Sequence, residues 1–429
     1  MRYAFINGYV LNGHVDMKPE AGLAVIVNDD KIEAVLPVDE AKLDGCKVID
    51  LDGKYLMPGL VNPHVHLAVA GDAPKPNAKP VDYKKVFKLL SIPGAKTLMR
   101  SLGQGYAKDE VLSGVTTLRS VGGILDFDAK IRDKIESGRA LGPRILASNT
   151  AVSVPGGHFA GSLATEAETP EMAREHVRQI HKTNPNWIKL MITGGVMDAT
   201  EDGEPGILRM PPEIVAAAVD EAHKLGYKVA AHVESPEGVR VALEGGVDTI
   251  EHGAQPNDEI IRLFKERGSA EICTISPALP YCLFDLSVSH TDELGKRNGT
   301  IVMNGIIECA KTCLAEGIPV GIGTDTGCPF IRHYDMWREI CYFVKYCDVT
   351  PAFALHTATQ KNAEIIGIGD VTGTIDPGKC ADLIVAFENP LENLRTLKTL
   401  SMVMARGKLI ENPKIKKDKY IDEELDKYL

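Results

Sequence analysis

Residues 227–253 read YKVAAHVESPEGVRVALEGGVDTIEHG. An apolar run, a Ser235-Pro236 helix start, a helical stretch ending at Gly245-Gly246 and a second apolar run follow one another within it. Strand, helix and strand in so short a span make a βαβ unit, and such units build a parallel sheet. Pro inside the first turn and Gly past the last one mark the two ends of the helix. His232 and His252 fall at the ends of the two runs.

The same texture extends in both directions from about Pro58. Eight runs rich in Val and Ile can be read: LMPGLVNPHVH (56–66), GVTTLRS (114–120), PRILASN (143–149), NWIKLMI (186–192), YKVAAHV (227–233), VDTIEHG (247–253), AEICTIS (270–276) and IPVGIGTD (318–325). Eight strands are what a closed (β/α)8 TIM barrel needs. The segments between them look helical, as in PPEIVAAAVDEAHKLG (211–226), where Gly226 is the stop.

Both chain ends have a different texture. YAFINGYVL, LAVIVNDDKIEAVL and KVIDLDGKYL in the first 57 residues, then GTIDPGKCADLIVAF and SMVMARGKLIEN after about Gly367, read as short strands with turn residues between them. The expectation is an α/β chain: a barrel over 58–367, with a small β-sandwich domain of antiparallel strands formed by 1–57 plus 368–429. The charged stretch KIKKDKYIDEELDKYL at the end reads as a surface helix.

Composition supports a packed globular chain. At 429 residues it exceeds the roughly 250–300 at which one ordinary core stops growing, which suits a barrel with an appendage. An apolar fraction of 44% with 25% charged residues excludes disordered, collagenous and coiled-coil classes. A net charge of −11 (48 basic against 59 acidic residues) argues against nucleic acid or an anionic membrane as partner. The N-terminus MRYAFINGYVLNG lacks the apolar core of a signal peptide, and no run of about 18 apolar residues occurs, so a cytoplasmic location is expected. Nine scattered cysteines without a CxxC pair fit reduced thiols, not a disulfide framework or a structural zinc module.

The polar residues carry the chemistry. His64 and His66 end the first run, Lys189 lies in the fourth, His232 and His252 end the fifth and sixth, and Asp325 ends the eighth. In a barrel the C-terminal strand ends meet at one face, and His64 and His66, two apart on a strand, share one side. Singly, each histidine reads as a satisfied polar residue, Asp325 as a helix cap and Lys189 as one half of an ion pair. Their joint placement favours a metal centre, and imidazole with carboxylate suits Zn²⁺ or a similar ion. An ammonium cannot ligate a cation, but a lysine that has reacted with CO₂ becomes a carbamate able to bridge two of them. A hydroxide between two ions is a strong nucleophile near neutral pH, and a carboxylate such as Asp325 can move its proton.

At these residues the sequence resembles the amidohydrolase superfamily along almost its whole length. The marks are MPGLVNPHVHL, GVTTLRSVGG, GPRILAS, IKLMITGGV, VAAHVESPEGVRVALEGGVDTIEHG, GIGTDTG and TATQKNAEIIGIGDVTGTIDPGKCADLIV. Within it, KLMITGGV, the GGHF motif at His158 and EAHKLG resemble the group of Xaa-Pro dipeptidases and metal-dependent carboxypeptidases, with related N-acyl amino acid and ochratoxin-type amide hydrolases. The resemblance implies two divalent ions: His64 and His66 on the more buried one, Lys189 as the carbamylated bridge, His232 and His252 on the second. It implies that Asp325 ligates the buried ion and acts as the base. It implies hydrolysis of an amide in a dipeptide or N-acyl amino acid through a metal-bridging hydroxide, and, as for many members, a homo-oligomer. Cyclic amidases of the imidazolonepropionase or hydantoinase kind and deaminases are the alternatives, with a degenerate binding barrel as a non-enzymatic one. Deaminases of this kind carry an HxxE element after the fifth strand, where this chain has His232-Val233-Glu234.

Departures from the family pattern fall in the loops that line a barrel mouth. Ser120 stands where the group often has Asp, HVES replaces HAHG or HAxG, and the segment after the fourth strand is acidic, with Asp198, Glu201, Asp202 and Glu204. That acidity would favour a basic substrate group, or be a solvated loop. His158 is the first candidate for a substrate contact, to a carboxylate or to the scissile carbonyl, unless it only organises its glycine turn; Arg119, Tyr281, Arg332 and His333 are further ones, with Arg119 equally able to pair with an acid below the mouth. His176, His181, His223 and His356 fall in helices and read as structural or exposed.

Overall fold

The structure is a computed structural model that describes residues 1–76, 88 and 90–429. Eight parallel strands form its centre: β1 (Leu60–Val65), β2 (Val115–Ser120), β3 (Arg144–Ala147), β4 (Trp187–Met191), β5 (Lys228–Val233), β6 (Thr249–His252), β7 (Ala270–Cys273) and β8 (Val320–Ile322). Successive strands pair in chain order from β1 to β3 and from β4 to β8. Two seams complete the ring. Between β8 and β1, Asp325 N donates to His64 O at 3.0 Å and His66 N to Thr326 O at 2.9 Å.

The other seam departs from a simple eight-run reading. The third run breaks after Ala147, where Asn149 takes a left-handed φ of 58°, and the chain resumes as Ala151–Ser153 beside β4. Asn186 N donates to Ala147 O at 2.6 Å below the break, so β3 leans on β2 at its base and its continuation leans on β4. Helices fill the intervals, including Pro170–His181, Pro212–Lys224 and Pro236–Glu244, each with Pro in its first turn. The hydroxyl of Ser235 accepts from Gly238 N at 3.1 Å, the side-chain cap that the sequence offers at that helix start. Trp187, Val61, Ala230 and Ile366 pack together within the barrel.

The chain ends build two sheets. One contains Arg2–Ile6, Leu23–Asn28, Lys31–Pro37 and Lys47–Asp50; the other contains Tyr55–Pro58, Leu383–Ala386, Leu400–Ala405 and Lys408–Glu411, with short strands at Tyr9–Val10 and Glu20–Ala21. Phe5, Val25 and Val27 of the first sheet share an apolar cluster with Leu56, Leu383 and Val385 of the second. The expectation of purely antiparallel pairing needs correction. Arg2–Ile6 runs parallel to Lys47–Asp50, and Tyr9–Val10 parallel to Tyr55–Pro58. The reason is local: both segments begin in one sheet and end in the other, turning at left-handed Asn7 and at Asp52-Gly53, so two arches travel side by side. Pro58 belongs to this sheet, and the barrel strand begins at Leu60.

The final helix, Lys419–Leu425, is more than a surface element. Ile421 and Leu425 are buried in the barrel's core cluster, and Arg338 donates to Asp422 at 2.9 Å and to Asp426 at 2.7 Å. Among the described residues no helix is long and apolar enough to cross a membrane.

Candidate metal centre

The strand ends bring the expected ligands together. One ligand atom each from His64, His66 and Asp325 lie within 4.8 Å of one another, and the same holds for His232, Glu234 and His252. Both sets line one cavity, together with Lys189, His158 and Tyr281. His252 and Asp325 sit at left-handed φ values of 72° and 53°, which non-glycine residues rarely adopt outside over-determined sites.

Each histidine uses one ring nitrogen to fix its orientation. His64 Nδ1 donates to Glu251 Oε2 at 2.7 Å, His66 Nδ1 to Gly122 O at 3.0 Å and His232 Nε2 to Gly194 O at 3.2 Å, while His252 Nδ1 lies 2.7 Å from Thr274 Oγ1. A carbonyl or carboxylate only accepts, so the nitrogen facing it carries the proton and the other is free for a metal. Burial, reinforced by neighbouring histidines and Lys189, pushes His232 and His252 well below the usual imidazole range and keeps them neutral. Burial would raise the Asp325 carboxyl, but His64 and His66 outweigh it and hold it well below the carboxylate range. Its Oδ1 lies 3.3 and 3.0 Å from Nε2 of His64 and His66, while Oδ2 accepts from Cys328 Sγ at 3.3 Å. Burial and the Asp325 charge drive the Cys328 thiol up, so it stays a thiol.

Lys189 is the unusual member. Its Nζ is buried, has no hydrogen-bond partner, and is lowered by burial to about 8, against the pull of Glu251 and Asp325. Buried polar groups without partners are rare enough to need an explanation. The donor set fits divalent ions: four imidazole nitrogens, one carboxylate and an amine that can become a carbamate.

Below the cavity lies a charged floor, in which Arg119 has the acid partner open to it in the sequence reading and Glu251 is the member that reading did not single out. Arg119 is fully buried; it donates to Pro63 O at 2.8 Å, Thr249 Oγ1 at 3.0 Å and Glu251 Oε1 at 2.7 Å, with its guanidinium 4.5 Å over the Trp187 ring. Burial alone would raise the Glu251 carboxyl; Arg119 and His64 reverse this and hold it well below the usual range. Arg119 is therefore placed beneath the ligands and does not line the cavity, contrary to the expectation of a substrate contact. The available signal was that Arg119, Lys189 and Glu251 each interrupt an apolar strand.

His333 is likewise not brought to the cavity. Its Nε2 donates to Val69 O at 2.8 Å, its Nδ1 lies 3.3 Å from Glu110 Oε1, and its ring stacks on Tyr106 at 4.7 Å, which ties two loops together. Arg332 pairs with Asp72. His158 and Tyr281 do reach the cavity. Burial pushes the Tyr281 hydroxyl up, leaving it a proton donor. The His158 ring stacks on His232 at 4.2 Å, and its Nδ1 bonds to Asp198, which also accepts from Gly195 N at 3.2 Å. Burial works against the ionised Asp198 carboxyl, but His158 and Gly195 together bring it below its ordinary value.

The acidic loop is thus largely occupied by the protein itself. Asp202 accepts from Arg297 at 2.9 Å and Glu204 from Arg209 at 2.5 Å. The expectation that these carboxylates serve a basic substrate group finds no free pair in Asp202 and Glu204. Glu234, in contrast, has a buried Oε2 without a partner, and burial together with Asp325 and Asp198 pushes its carboxyl well above the usual range.

Residues 55–410 match the amidohydrolase family model. A Bifidobacterium longum protein of known structure, described provisionally as a prolidase, is 35% identical, superposes with a TM-score of 0.88, and is covered over 98% of its length by 99% of this chain. A Xaa-Pro dipeptidase with methionine bound in its active site is 26% identical with a TM-score of 0.82, over 96% of this chain and 100% of that one. The ochratoxinase of Aspergillus niger is 26% identical over 84% of this chain and 76% of its own.

Proposed function

The chain belongs to the amidohydrolase family and its prolidase-like group, and from that premise we propose that it is a metal-dependent amidase that releases the C-terminal residue of a dipeptide or N-acyl amino acid. The observation that carries this reading is the unpartnered Lys189 amine, buried in one cavity with two sets of ligand atoms. His64, His66 and Asp325 would hold one ion, His232 and His252 a second, with Lys189 as a carbamate between them; nitrogen and oxygen donors suit Zn²⁺. When bound, such ions lower the pKa of water and polarise a carbonyl.

The chain's own residues supply the rest. Asp325 takes the proton of the attacking water and delivers it to the leaving nitrogen, as a general base and then a general acid. Asp198 orients His158 so that Nε2 is left for the substrate, and the Tyr281 hydroxyl is a donor for the scissile carbonyl. Phe159, Met197, Pro277 and Ile306 give the cavity an apolar wall that excludes water from the amide. The same reading takes 58–367 as the catalytic barrel and 1–57 with 368–429 as a β-sandwich domain and tail, in a cytoplasmic homo-oligomer.

The test is a library of dipeptides, N-acyl amino acids and cyclic amides offered to protein reconstituted with Zn²⁺ and bicarbonate. Release of a free amino acid from the linear amides is expected. Ring opening alone would identify a cyclic amidase, and ammonia release a deaminase.

A further inference from the structure

His232 and Glu234 stand two apart at the end of β5, as His64 and His66 do at the end of β1. Residues two apart on a strand face the same side. Each pair is completed by one residue from another strand end: Asp325 after β8 for the first, His252 on β6 for the second. In the second set, an oxygen of Glu234 lies within 4.8 Å of ring nitrogens of His232 and His252.

The residue is held at its backbone: Glu234 N donates to Thr193 Oγ1 at 3.0 Å, which fixes the turn after β5. Its Oε2 is buried and unpartnered, and Glu234 lines the same cavity as five imidazoles. A carboxyl oxygen buried without a hydrogen-bond partner is costly, so such a group calls for an ion or a ligand. The residue is also one of the places where this chain departs from the family's pattern, reading HVES in place of HAHG.

We infer that Glu234 is a third side-chain ligand of the second ion, beside His232 and His252. The centre then consists of two matched half-sites, HxH with Asp and HxE with His, that share Lys189. This rests on the binuclear reading above and adds to it an anionic donor that tightens the second ion and lowers the net charge there.

Equilibrium dialysis of the metal-free protein against Zn²⁺, and absorption spectroscopy with Co²⁺, test it without reference to activity. Wild-type protein binds two ions; Glu234→Gln keeps one with unchanged affinity, which also reports an intact fold. Its second ion is weakened by at least about 10–100-fold, the loss that even an outer partner of a ligand causes, and the Co²⁺ spectrum of that site changes. Glu234→Asp recovers part of the affinity. A Glu234→Gln variant with two ions at wild-type affinity and an unchanged spectrum overturns this inference alone, and would leave Glu234 facing a substrate amine. Wild-type protein that binds fewer than two ions overturns the binuclear reading and this inference with it.

Discussion

His64 Nδ1 donates to Glu251 Oε2 at 2.7 Å, and through Glu251 this candidate ligand is coupled to a guanidinium buried in the barrel: Glu251 Oε1 accepts from Arg119 at 2.7 Å. The carboxylate fixes the ring's tautomer and orientation, and the arginine keeps the carboxylate ionised. Glu251→Gln is expected to lower affinity for the ion at His64 by about 10–100-fold. It should also destabilise the fold by roughly 3–5 kcal/mol, because Arg119 remains buried without its counter-charge. Metal titration and thermal unfolding measure the two effects. The double variant Arg119→Met with Glu251→Leu should recover most of the stability and little of the metal affinity, which separates positioning from packing.

Asp325 offers two oxygens with different neighbours, Oδ1 toward His64 and His66 and Oδ2 toward the Cys328 thiol. Asn keeps the shape and loses the basicity. Asp325→Asn should lower kcat by about 10²–10⁴-fold, the range of general acid–base catalysis, while metal analysis still finds bound ion. Turnover at the wild-type rate would remove Asp325 from proton transfer. Cys328→Ala, which deletes only a neutral donor, should retain most of the activity.

The acidic loop separates into one carboxylate with a task at the cavity and others without. Asp198 holds His158, whereas Asp202 makes an exposed pair with Arg297. A charge-assisted hydrogen bond is worth about 1.5–3 kcal/mol, so Asp198→Asn should lower kcat/KM by about 10–100-fold. Asp202→Asn touches a surface pair worth roughly 0–1 kcal/mol and should leave kcat/KM nearly unchanged. Equal losses in both variants would point instead to a general electrostatic effect of the loop on the substrate.

What was legible in the sequence follows from the physics of the strands. Barrel strands are buried on both faces, so runs such as NWIKLMI and YKVAAHV stand out, and a polar residue at the end of one is conspicuous. That places His64, His66, Lys189, His232, His252 and Asp325 at one mouth. Arg119 was equally conspicuous, but a charge within an apolar run carries no direction. Its partner Glu251 lies 132 residues away and only the closed barrel brings them together. The break at Asn149 and the parallel arches of the terminal sheets depend on single left-handed residues that look like ordinary turn residues in the sequence. His333 sits beside the mouth in sequence, yet its contacts with Val69, Glu110 and Tyr106 arise from a distant helix and loop.

On the proposed reading, in which Lys189 carries a carbamate, the centre depends on pH and CO₂ before any ion binds. Its ammonium is lowered by burial from 10.5 to about 8, so the neutral amine grows from about one-tenth of the protein at pH 7 to about nine-tenths at pH 9. Only the neutral amine attacks CO₂; the new N–C bond forms as the nitrogen loses a proton, which yields the carbamate. At a fixed concentration of dissolved CO₂, carbamate formation in the metal-free protein should therefore accelerate as pH rises through about 8 and level off above it. The ¹³C resonance of labelled carbamate reports this directly. Stability follows the same group with a definite sign. The unfolded chain binds the lysine proton up to about 10.5 and the folded chain only to about 8, so this residue makes the metal-free protein more stable as pH rises across that window. Lys189→Met should abolish the labelled signal and flatten that part of the stability profile, while a carbamate signal that persists in the variant would assign the reaction to another amine.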